Sequence, residues 1–440
     1  MDDNDRAIVS FTGLAHALVH TYELSIPIFV VVWLTEFPVT TATLGTVVAV
    51  GYALFGAGAL PGGVLTDRYG SNTLVTLCLV GMGASFLLLS VAPTVPVIAV
   101  ALGLWGLSAS VYHPAGLALI SKGVEERGTG FAYHGMAGNA GIALGPLVTA
   151  LLLLVADWRL VAALLVLPAV GAVAYARTAE FDEMAAVDTA GEASPDGGEA
   201  SDESRPSSDQ RSDGGESNAA ADGPPNSLRD FLADSRALFT VGFTLAMLVV
   251  MANGLFYRGV LTFLPDVLGG FLPPVGDVLG LFADSPLAAE FDLASYLYVG
   301  LLTVGIGGQY AGGKLTDRIP TPIGMVAVFA ALAVVAVLFV PAAGAGIAPL
   351  LAVSAGLGFL LFALQPLYQA TIAEYSPPGD RGLSYGYTYL CSFGIGAAGA
   401  AISGYLLSTV GVDGTFLGLA LFPVFGLGVA LALWRLDGGH

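Results

Sequence analysis

Long apolar stretches recur along the whole sequence, and each is long enough to cross a lipid bilayer as a helix. A spanning helix needs about 20 consecutive, mostly apolar residues. Six such stretches occupy the first part of the chain and six the second, near residues 8–35, 41–65, 73–92, 95–121, 129–156 and 158–176, then 238–268, 291–315, 322–341, 345–374, 382–409 and 412–434. The sequence therefore predicts an all-α integral membrane protein with twelve transmembrane helices, numbered here as spans 1 to 12.

A polar segment separates spans 6 and 7. Residues 178–236 repeat Asp, Glu, Ser, Gly and Pro and contain almost no aromatic or β-branched side chains, so this segment cannot bury enough surface to offset its ordering entropy. We predict three regions: an N-terminal six-helix bundle at 1–177, a disordered acidic cytoplasmic linker at 178–236 and a C-terminal six-helix bundle at 237–440. A solvated tether is favoured for the linker over a docking or regulatory segment.

The same segment explains most of the charge imbalance. The formal net charge is −19, and 15 of the 34 acidic residues lie between Glu180 and Asp234. The basic residues form no stripe that could neutralise successive phosphates, which argues against nucleic-acid binding. The two cysteines, Cys78 and Cys391, lie inside apolar runs, so no disulfide framework is expected.

The basic residues also predict the orientation of the chain. When the twelve spans are threaded through a bilayer, Arg159 falls on one side and Arg258 lies within span 7. All the others fall on the opposite side, and they are Arg6, Arg68, Lys122, Arg127, Arg177, Arg205, Arg211, Arg229, Arg236, Lys314, Arg318, Arg381 and Arg435. By the positive-inside rule, we expect a multi-pass protein of the cytoplasmic membrane with both termini in the cytoplasm.

An internal repeat relates the two halves. The sequence Gly-Val-Leu-Thr-Asp-Arg at 63–68 returns as Gly-Lys-Leu-Thr-Asp-Arg at 313–318, each time between the second and third spans of its half. His113-Pro114 is likewise echoed by Gln365-Pro366. The halves therefore look like duplicates, as in transporters whose binding sites lie between two repeats near the middle of the membrane.

With these motifs the chain resembles the major facilitator superfamily, in which two six-helix bundles rock about a central cavity. The family's signature cytoplasmic turn is similar to residues 63–70 here, although Ser71 and Asn72 stand where two basic residues often follow. The resemblance implies a cytoplasmic gate whose residues pair in one conformation and separate in the other. The residues of this gate are Asp67, Arg68, Asp317, Arg318 and Glu374. We expect Glu374 to pair with Arg318.

Two shorter stretches resemble efflux proteins of that superfamily. Residues 110–114 and 135–146 are similar to fosmidomycin-resistance-type proteins, and Gly141-xxx-Gly145-Pro146 resembles a glycine–proline motif of antiporters. The arginine often found in span 4 of proton-coupled drug antiporters is missing. The resemblance therefore favours efflux by antiport and leaves two alternatives open: uptake by proton symport, and a membrane sensor that signals through the linker without transporting anything.

Titratable side chains within the spans are few, and by default they mark a pathway. His16, His20 and Glu23 lie on one stripe of span 1, and we predict that they couple transport to protons, unless they form a polar cluster that only satisfies itself. Aligning Tyr22 with Tyr257 sets Glu23 opposite Arg258 in the other half. We therefore predict an ion pair across the cavity, opened by protonation of Glu23 or by an anionic substrate; the alternative is a static pair that holds the bundles together.

Other polar and aromatic side chains are candidates for substrate binding. His113 precedes a proline deep in span 4, and Gln365 is its counterpart in span 10, at even odds against satisfied interior polar groups. His134 shares a stripe with glycines, so we predict helix packing for it. The full set of predicted substrate-binding residues is Tyr22, His113, Asn139, Asn253, Tyr257, Gln365, Tyr368 and Gln369.

The predicted function is that of a proton-coupled secondary active transporter for a small amphipathic or anionic organic molecule. Its expected partners are the lipid bilayer, this substrate and protons, and we expect a monomer. No cofactor or metal is predicted, because the four internal histidines lie on three different spans without the spacing of metal ligands. No phosphate-binding loop or nucleophile motif indicates an enzyme.

Overall fold

The computed structural model describes residues 1–186, 228–272, 293–316, 318–376 and 381–438, and within these ranges every regular element is a helix. The N-terminal half contains α1 Asp3–Glu36, α2 Thr41–Ala57, α3 Ala59–Tyr69, α4 Ser71–Ser90, α5 Val95–Ala109, α6 Tyr112–Gly123, α7 Arg127–Leu153, α8 Trp158–Leu164 and α9 Val166–Thr178. The C-terminal half contains α10 Leu228–Leu238, α11 Val241–Leu261, α12 Leu264–Gly269, α13 Leu293–Thr316, α14 Thr321–Gly344, α15 Ile347–Tyr375, α16 Arg381–Tyr389, a π-helix Leu390–Ile395, α17 Ala398–Leu419 and α18 Leu421–Asp437.

These helices confirm the predicted twelve spans. Among the described residues, ten stretches are long and apolar enough to cross a membrane. One of them, Leu383–Leu436, is 54 residues long and contains two spans, because Gly411 adopts a φ of +70° and turns the chain between them. Glycine has no Cβ and tolerates this left-handed conformation. Helix α13 supplies the remaining span.

Spans 4 and 11 are interrupted beside the contact between the halves. Span 4 breaks between α5 and α6 at Ser110 and Val111, just before Pro114. Proline has no N–H to donate to the carbonyl group four residues earlier, and its ring clashes with that group, so the helix is interrupted there. Span 11 contains the π-helix over Leu390–Ile395. The two interruptions place His113 and the first turn of the π-helix at the contact between the halves.

Glycines let span 5 pack closely against span 1 within the N-terminal half. A Cβ atom at Gly141 would lie 2.1 Å from the Ala17 carbonyl oxygen, and one at Gly145 would lie 2.5 Å from the Thr21 Cα atom. Only glycine allows the two backbones to approach so closely. The glycine stripe that the sequence indicated is therefore a contact between spans 1 and 5.

A second glycine contact joins the two halves along spans 2 and 11. A Cβ atom at Gly404 would lie 2.3 Å from the Thr41 carbonyl oxygen, and one at Gly56 would lie 1.9 Å from the Gly394 nitrogen. The Thr41 hydroxyl also donates a hydrogen bond of 2.9 Å to the Gly404 carbonyl group. The halves are thus in backbone contact beside the central residues described below.

The ends of the predicted linker carry structure. Helix α10 begins at Leu228, inside the segment expected to be disordered, and residues 187–227 lie outside the described residues. At the other end, the Glu183 carboxylate accepts hydrogen bonds from the backbone N–H groups of Ser71 and Asn72, at 3.0 and 3.2 Å. A carboxylate at a helix N-terminus satisfies donors that have no partner within the helix. Residues 178–186 therefore lie against the start of span 3.

Asp5 performs the same task for span 5, and its replacement gives a testable prediction. Its carboxylate is 1% exposed and accepts the backbone N–H groups of Glu125 and Glu126, at 2.8 and 3.2 Å. We expect Asp5→Ala to lower the free energy of unfolding by about 0.5–2 kcal/mol, because two backbone donors at the start of span 5 lose their acceptor. Asp3→Ala is the matched control, since the Asp3 carboxylate is fully exposed. Urea unfolding in detergent measures both, and equal effects would contradict this role of Asp5.

Candidate functional site

A buried ion pair joins the two halves near the middle of the molecule. The Arg258 guanidinium on α11 donates from Nη2 to Oε1 of Glu23 on α1, and both side chains are 2% exposed. Each residue lies on the first span of its half, which is where the repeat alignment set them opposite each other. Burying two charges is expensive unless they are paired, so each group depends on the other.

Aromatic rings enclose the Arg258 guanidinium. Its Cζ atom lies 3.9 Å from the centre of the Tyr52 ring, 4.9 Å from that of Phe393 and 5.3 Å from that of Tyr257. The negative face of an aromatic ring attracts a cation, and more strongly where water is excluded. The Nε atom of Arg258 is buried and has no hydrogen-bond partner among the described residues. One carboxylate and three ring faces therefore provide the immediate surroundings of this charge.

A chain of hydrogen bonds runs from the ion pair along span 1. Oε2 of Glu23 lies 2.7 Å from Nδ1 of His20, and Nε2 of His20 lies 3.1 Å from Nε2 of His16. Nδ1 of His16 lies 2.8 Å from the backbone oxygen of His134 on α7. The i, i+4, i+7 spacing on α1 puts the three side chains on one face, so the chain is continuous from Arg258 to span 5.

The partners of this chain determine where its protons lie. The His134 carbonyl oxygen can only accept, so Nδ1 of His16 donates to it. A carboxylate paired with a guanidinium also accepts, so Nδ1 of His20 donates to Glu23. With these donors assigned, neutral His16 and His20 would face each other at 3.1 Å with two lone pairs. The contact therefore requires one additional cation, either a proton on one ring or an ion between them.

His113 completes a cluster of three imidazoles. One ring nitrogen each of His16, His20 and His113 lies within 4.8 Å of the others. The His113 ring stacks on Tyr389 of span 11, with ring centres 4.6 Å apart and an angle of 6° between the planes. We call Glu23, Arg258, His16, His20 and His113 the central cluster. The spacing-based expectation of no metal did not anticipate this convergence, because His113 comes from a different span than His16 and His20.

His134 lies beside the central cluster and is held by its own partners. Its ring stacks on His16 with centres 3.9 Å apart, and its Nε2 atom lies 3.0 Å from the Tyr112 hydroxyl group. That hydroxyl donates to the Thr12 carbonyl oxygen, so Nε2 of His134 is the donor to Tyr112. The residue fills a contact between spans 1, 4 and 5, in keeping with the packing role predicted for it.

The structure places Tyr22 away from the other predicted substrate-binding residues. Its ring packs against Phe86 with centres 4.2 Å apart, and its hydroxyl donates a 2.7 Å hydrogen bond to the Leu165 carbonyl group. Neighbouring positions on a helix point about 100° apart, so Tyr22 faces the interior of the N-terminal half while Glu23 faces the other half. Tyr22 is therefore held by contacts within the N-terminal half, and its role in substrate binding stays a prediction.

Apart from Tyr22 and His113, the predicted substrate-binding residues lie in the C-terminal half or on span 5. Asn253, one helical turn before Tyr257, is 5% exposed, and its Oδ1 atom has no hydrogen-bond partner among the described residues. Oε1 of Gln365 accepts a 3.4 Å hydrogen bond from Gln309. Tyr368 is buried, Asn139 is half-buried and Gln369 is exposed. Asn253 and Tyr257 thus lie on the same helix as Arg258.

The predicted gate residues are only partly described. Asp317 and the Asp67 side chain lie outside the described residues. Arg68 is exposed, with its guanidinium 5.4 Å from the centre of the Tyr69 ring, and Arg318 is exposed. Oε2 of Glu374 accepts a 3.4 Å hydrogen bond from Thr321. The pairing of Glu374 with Arg318 stays a prediction.

Three aromatic residues at the central cluster were missed from the sequence: Tyr52 on span 2, and Tyr389 and Phe393 on span 11. Each lies in an apolar stretch where an aromatic side chain is unremarkable. The π-helix that holds Phe393 has no signature in the sequence. Only the helix contacts reveal that these rings face the charged groups.

A family model matches most of this chain, and two known proteins match parts of it. A family model described as Major Facilitator Superfamily matches residues 12–400. The puromycin resistance protein pur8 of Streptomyces alboniger is 34% identical over 108 residues, which are 24% of this chain and 22% of that protein. The uncharacterized MFS-type transporter YfnC of Bacillus subtilis (strain 168) is 33% identical over 138 residues, or 30% and 31%. The aligned parts thus span less than a third of either relative.

Solved structures share the fold over nearly the whole chain. A bacterial homologue of the human lysosomal transporter Spinster, in an inward-facing and unoccupied conformation, has a TM-score of 0.72 at 12% identity and covers 99% of this chain and 98% of its own. The nucleoside transporter NupG has a TM-score of 0.67 at 11% identity and 99% coverage of both chains. A D-xylose–proton symporter has a TM-score of 0.66 at 15% identity and 98% coverage of both.

Proposed function

This chain belongs to the Major Facilitator Superfamily, and we propose that it is a proton-coupled secondary active transporter that exports a small amphipathic or anionic organic molecule by antiport. Membership makes it a multi-pass membrane transporter whose surroundings are the lipid bilayer and whose substrate is a small molecule. The proton coupling, the direction of transport and the substrate class are the proposal.

The buried Glu23–Arg258 pair is the observation that carries this proposal. It joins the two halves at the point where a rocking motion must separate them, and both groups are removed from water. Two buried partners hold this closed arrangement, and a competitor for either partner releases it. A proton on Glu23 or an anionic group on Arg258 is such a competitor. Exchange of one for the other would couple proton movement to substrate movement.

The surroundings of Arg258 support an anionic or amphipathic substrate. When Glu23 is released, the guanidinium remains beside the rings of Tyr52, Tyr257 and Phe393. A planar organic anion can pair with the guanidinium and stack on these rings. The unpartnered Oδ1 atom of Asn253, one turn away on the same helix, supplies an acceptor. We propose His113, Asn139, Gln365, Tyr368 and Gln369 as further contacts of the substrate.

Export is supported by two further observations. Gly141-xxx-Gly145-Pro146 resembles the antiporter motif, and one partial relative is a puromycin resistance protein. Uptake by proton symport is the alternative. In symport the substrate and the proton move in the same direction, whereas in antiport they move in opposite directions. Accumulation assays in a host that lacks or overexpresses the gene, using puromycin and a panel of labelled metabolites, separate the two. Lower accumulation that an uncoupler abolishes supports export, whereas higher accumulation supports uptake.

A sensor without transport activity is tested by removing the linker. Deleting residues 187–227 should leave transport intact, because both bundles and the ordered ends of the linker remain. Loss of a cellular response with no measurable transport on the panel would support the sensor instead. We further propose a monomer in the cytoplasmic membrane with both termini in the cytoplasm, and a gate formed by Asp67, Arg68, Asp317, Arg318 and Glu374.

The coupling proposal predicts that Glu23→Gln uncouples transport from protons. In proteoliposomes, we expect addition of a transported compound to move protons through the wild type and to leave the internal pH unchanged in the variant. Exchange of labelled for unlabelled substrate should persist, since it needs no net proton movement. Glu36→Gln is the matched control: Glu36 lies on the same helix but at its far end, where it pairs with Arg159. Unchanged proton stoichiometry in Glu23→Gln would show that Glu23 is not the carrier.

A further inference from the structure

The three imidazoles of the central cluster suggest a further site, in addition to the proton-coupling and substrate-binding roles predicted for them. We propose that His16, His20 and His113 bind one divalent transition-metal ion of the zinc class. Imidazole is a preferred ligand of zinc, copper and nickel ions, and three histidines with an open fourth position are a known zinc arrangement. The proposal depends neither on the substrate nor on the direction of transport.

The distances suit such an ion. One nitrogen from each of the three rings lies within 4.8 Å of the others, and the Nε2 atoms of His16 and His20 are 3.1 Å apart. With metal–nitrogen bonds of about 2.0–2.1 Å, tetrahedral ligands lie roughly 3.3 Å from one another. The His16–His20 distance is already close to this value. Because the three nitrogen atoms are spread over up to 4.8 Å, the His113 nitrogen must move closer to complete the set.

The outer hydrogen bonds orient two of the rings as metal ligands. Nδ1 of His16 donates to the His134 carbonyl oxygen, and Nδ1 of His20 donates to the Glu23 carboxylate. Metal-bound histidines nearly always donate their second ring N–H to a carbonyl or a carboxylate in this manner. Both Nε2 atoms are thereby left with lone pairs and lie 3.1 Å apart. A metal ion bound by both atoms replaces this repulsive contact with two coordinate bonds.

His113 supplies the independent sign of a missing partner. It is 6% exposed, and its Nε2 atom is buried without a hydrogen bond to any described residue. A buried polar atom without a partner is rare in native proteins, because it loses its interaction with water and gains nothing in return. Stacking on Tyr389 holds the ring plane. A metal ion shared with His16 and His20 would give this imidazole the partner it lacks.

All three ligands belong to the N-terminal half, whereas two of the rings beside His113 belong to span 11. Tyr389 and Phe393 lie 4.6 and 6.3 Å from the His113 ring, measured between ring centres. The ion therefore does not bridge the halves, and their separation leaves the ligand set intact. Exchange of the ion with the solution should require that separation, because the cluster is closed in the present arrangement.

The test is metal binding by the full chain, purified without a histidine tag and stripped with a chelator. We expect one Zn²⁺ per chain in competition with a chromophoric chelator, and Co²⁺ absorption bands in the visible range typical of tetrahedral nitrogen coordination. X-ray absorption of the Zn²⁺ form should show nitrogen ligands at about 2.0–2.1 Å. His113→Asn and His16→Asn should each weaken Zn²⁺ binding by at least about tenfold. His440→Asn is the control and should leave the affinity unchanged.

Several results would overturn the proposal. These are the absence of stoichiometric binding, a coordination shell of oxygen atoms alone, and wild-type affinity in His113→Asn. The Co²⁺ and X-ray absorption measurements use the wild type, so they decide the question even where a variant fails to fold. Proton-coupled transport is measured separately with the chelator present. Loss of metal binding with coupling intact rejects the metal site alone, and the reverse result rejects the coupling alone.

Discussion

Arg258→Gln should lower the free energy of unfolding by about 3–5 kcal/mol, because it leaves the Glu23 carboxylate buried without its counter-charge. Both side chains are 2% exposed, and the carboxylate keeps its hydrogen bond to His20 when the guanidinium is removed. The three aromatic rings around Arg258 also lose their cation. Transport should fall to background, since Arg258 is the proposed contact for the anionic group of the substrate. Urea or SDS unfolding in detergent measures the stability.

The double variant decides whether the two residues act as a pair. Glu23→Gln combined with Arg258→Gln removes both charges, so most of the stability lost in Arg258→Gln should return. The Glu36–Arg159 pair is the matched control, since Glu36 lies on the same helix as Glu23. Its side chains are 34% and 35% exposed, and Oε1 of Glu36 lies 2.8 Å from Nη1 of Arg159. Breaking it by Arg159→Gln should cost about 1 kcal/mol or less, because water screens it. Additive losses at residues 23 and 258 would refute an energetic link between them.

Gly141→Ala should also be strongly destabilising, and Gly135→Ala on the same helix should not. The added Cβ atom at Gly141 would lie 2.1 Å from the Ala17 carbonyl oxygen, so spans 1 and 5 must move apart. Overpacking of this kind costs about 1–3 kcal/mol and occasionally more. At Gly135 nothing lies within 4 Å of the added atom. That variant should gain about 0.5–1 kcal/mol from the higher helix propensity of alanine.

Thermal unfolding of the two variants in detergent checks this prediction. A third variant, Gly145→Ala, should resemble Gly141→Ala, because its Cβ atom would lie 2.5 Å from the Thr21 Cα atom. Movement of span 1 also shifts His20 and Glu23, so transport should fall with stability in both. If Gly135→Ala were as harmful as Gly141→Ala, the loss would come from helix backbone effects and not from the contact with span 1.

The sequence alone predicted the number and the division of the spans. A lipid bilayer requires a run of about 20 apolar residues for each crossing, and each such run can be identified from the local sequence. Charged residues inside such runs are costly, so Glu23 and Arg258 stand out from the residues around them. The internal repeat then related the first span of each half and set these two residues opposite each other. The glycine stripe of span 5 could also be recognised, because the spacing of its glycines is a property of the local sequence.

The tertiary structure alone decided which side chains meet across different spans. Three histidines on two helices converge, and the rings of Tyr52 and Phe393 enclose Arg258, because of how each helix is rotated and where it crosses its neighbours. Spacing along span 1 indicated that His16 and His20 share a face, but it contains no information about His113 or about these rings. The same reason explains Tyr22, which is adjacent to Glu23 in sequence yet points into the N-terminal half. Periodicity determined which residues share a face, and helix packing determined what that face contacts.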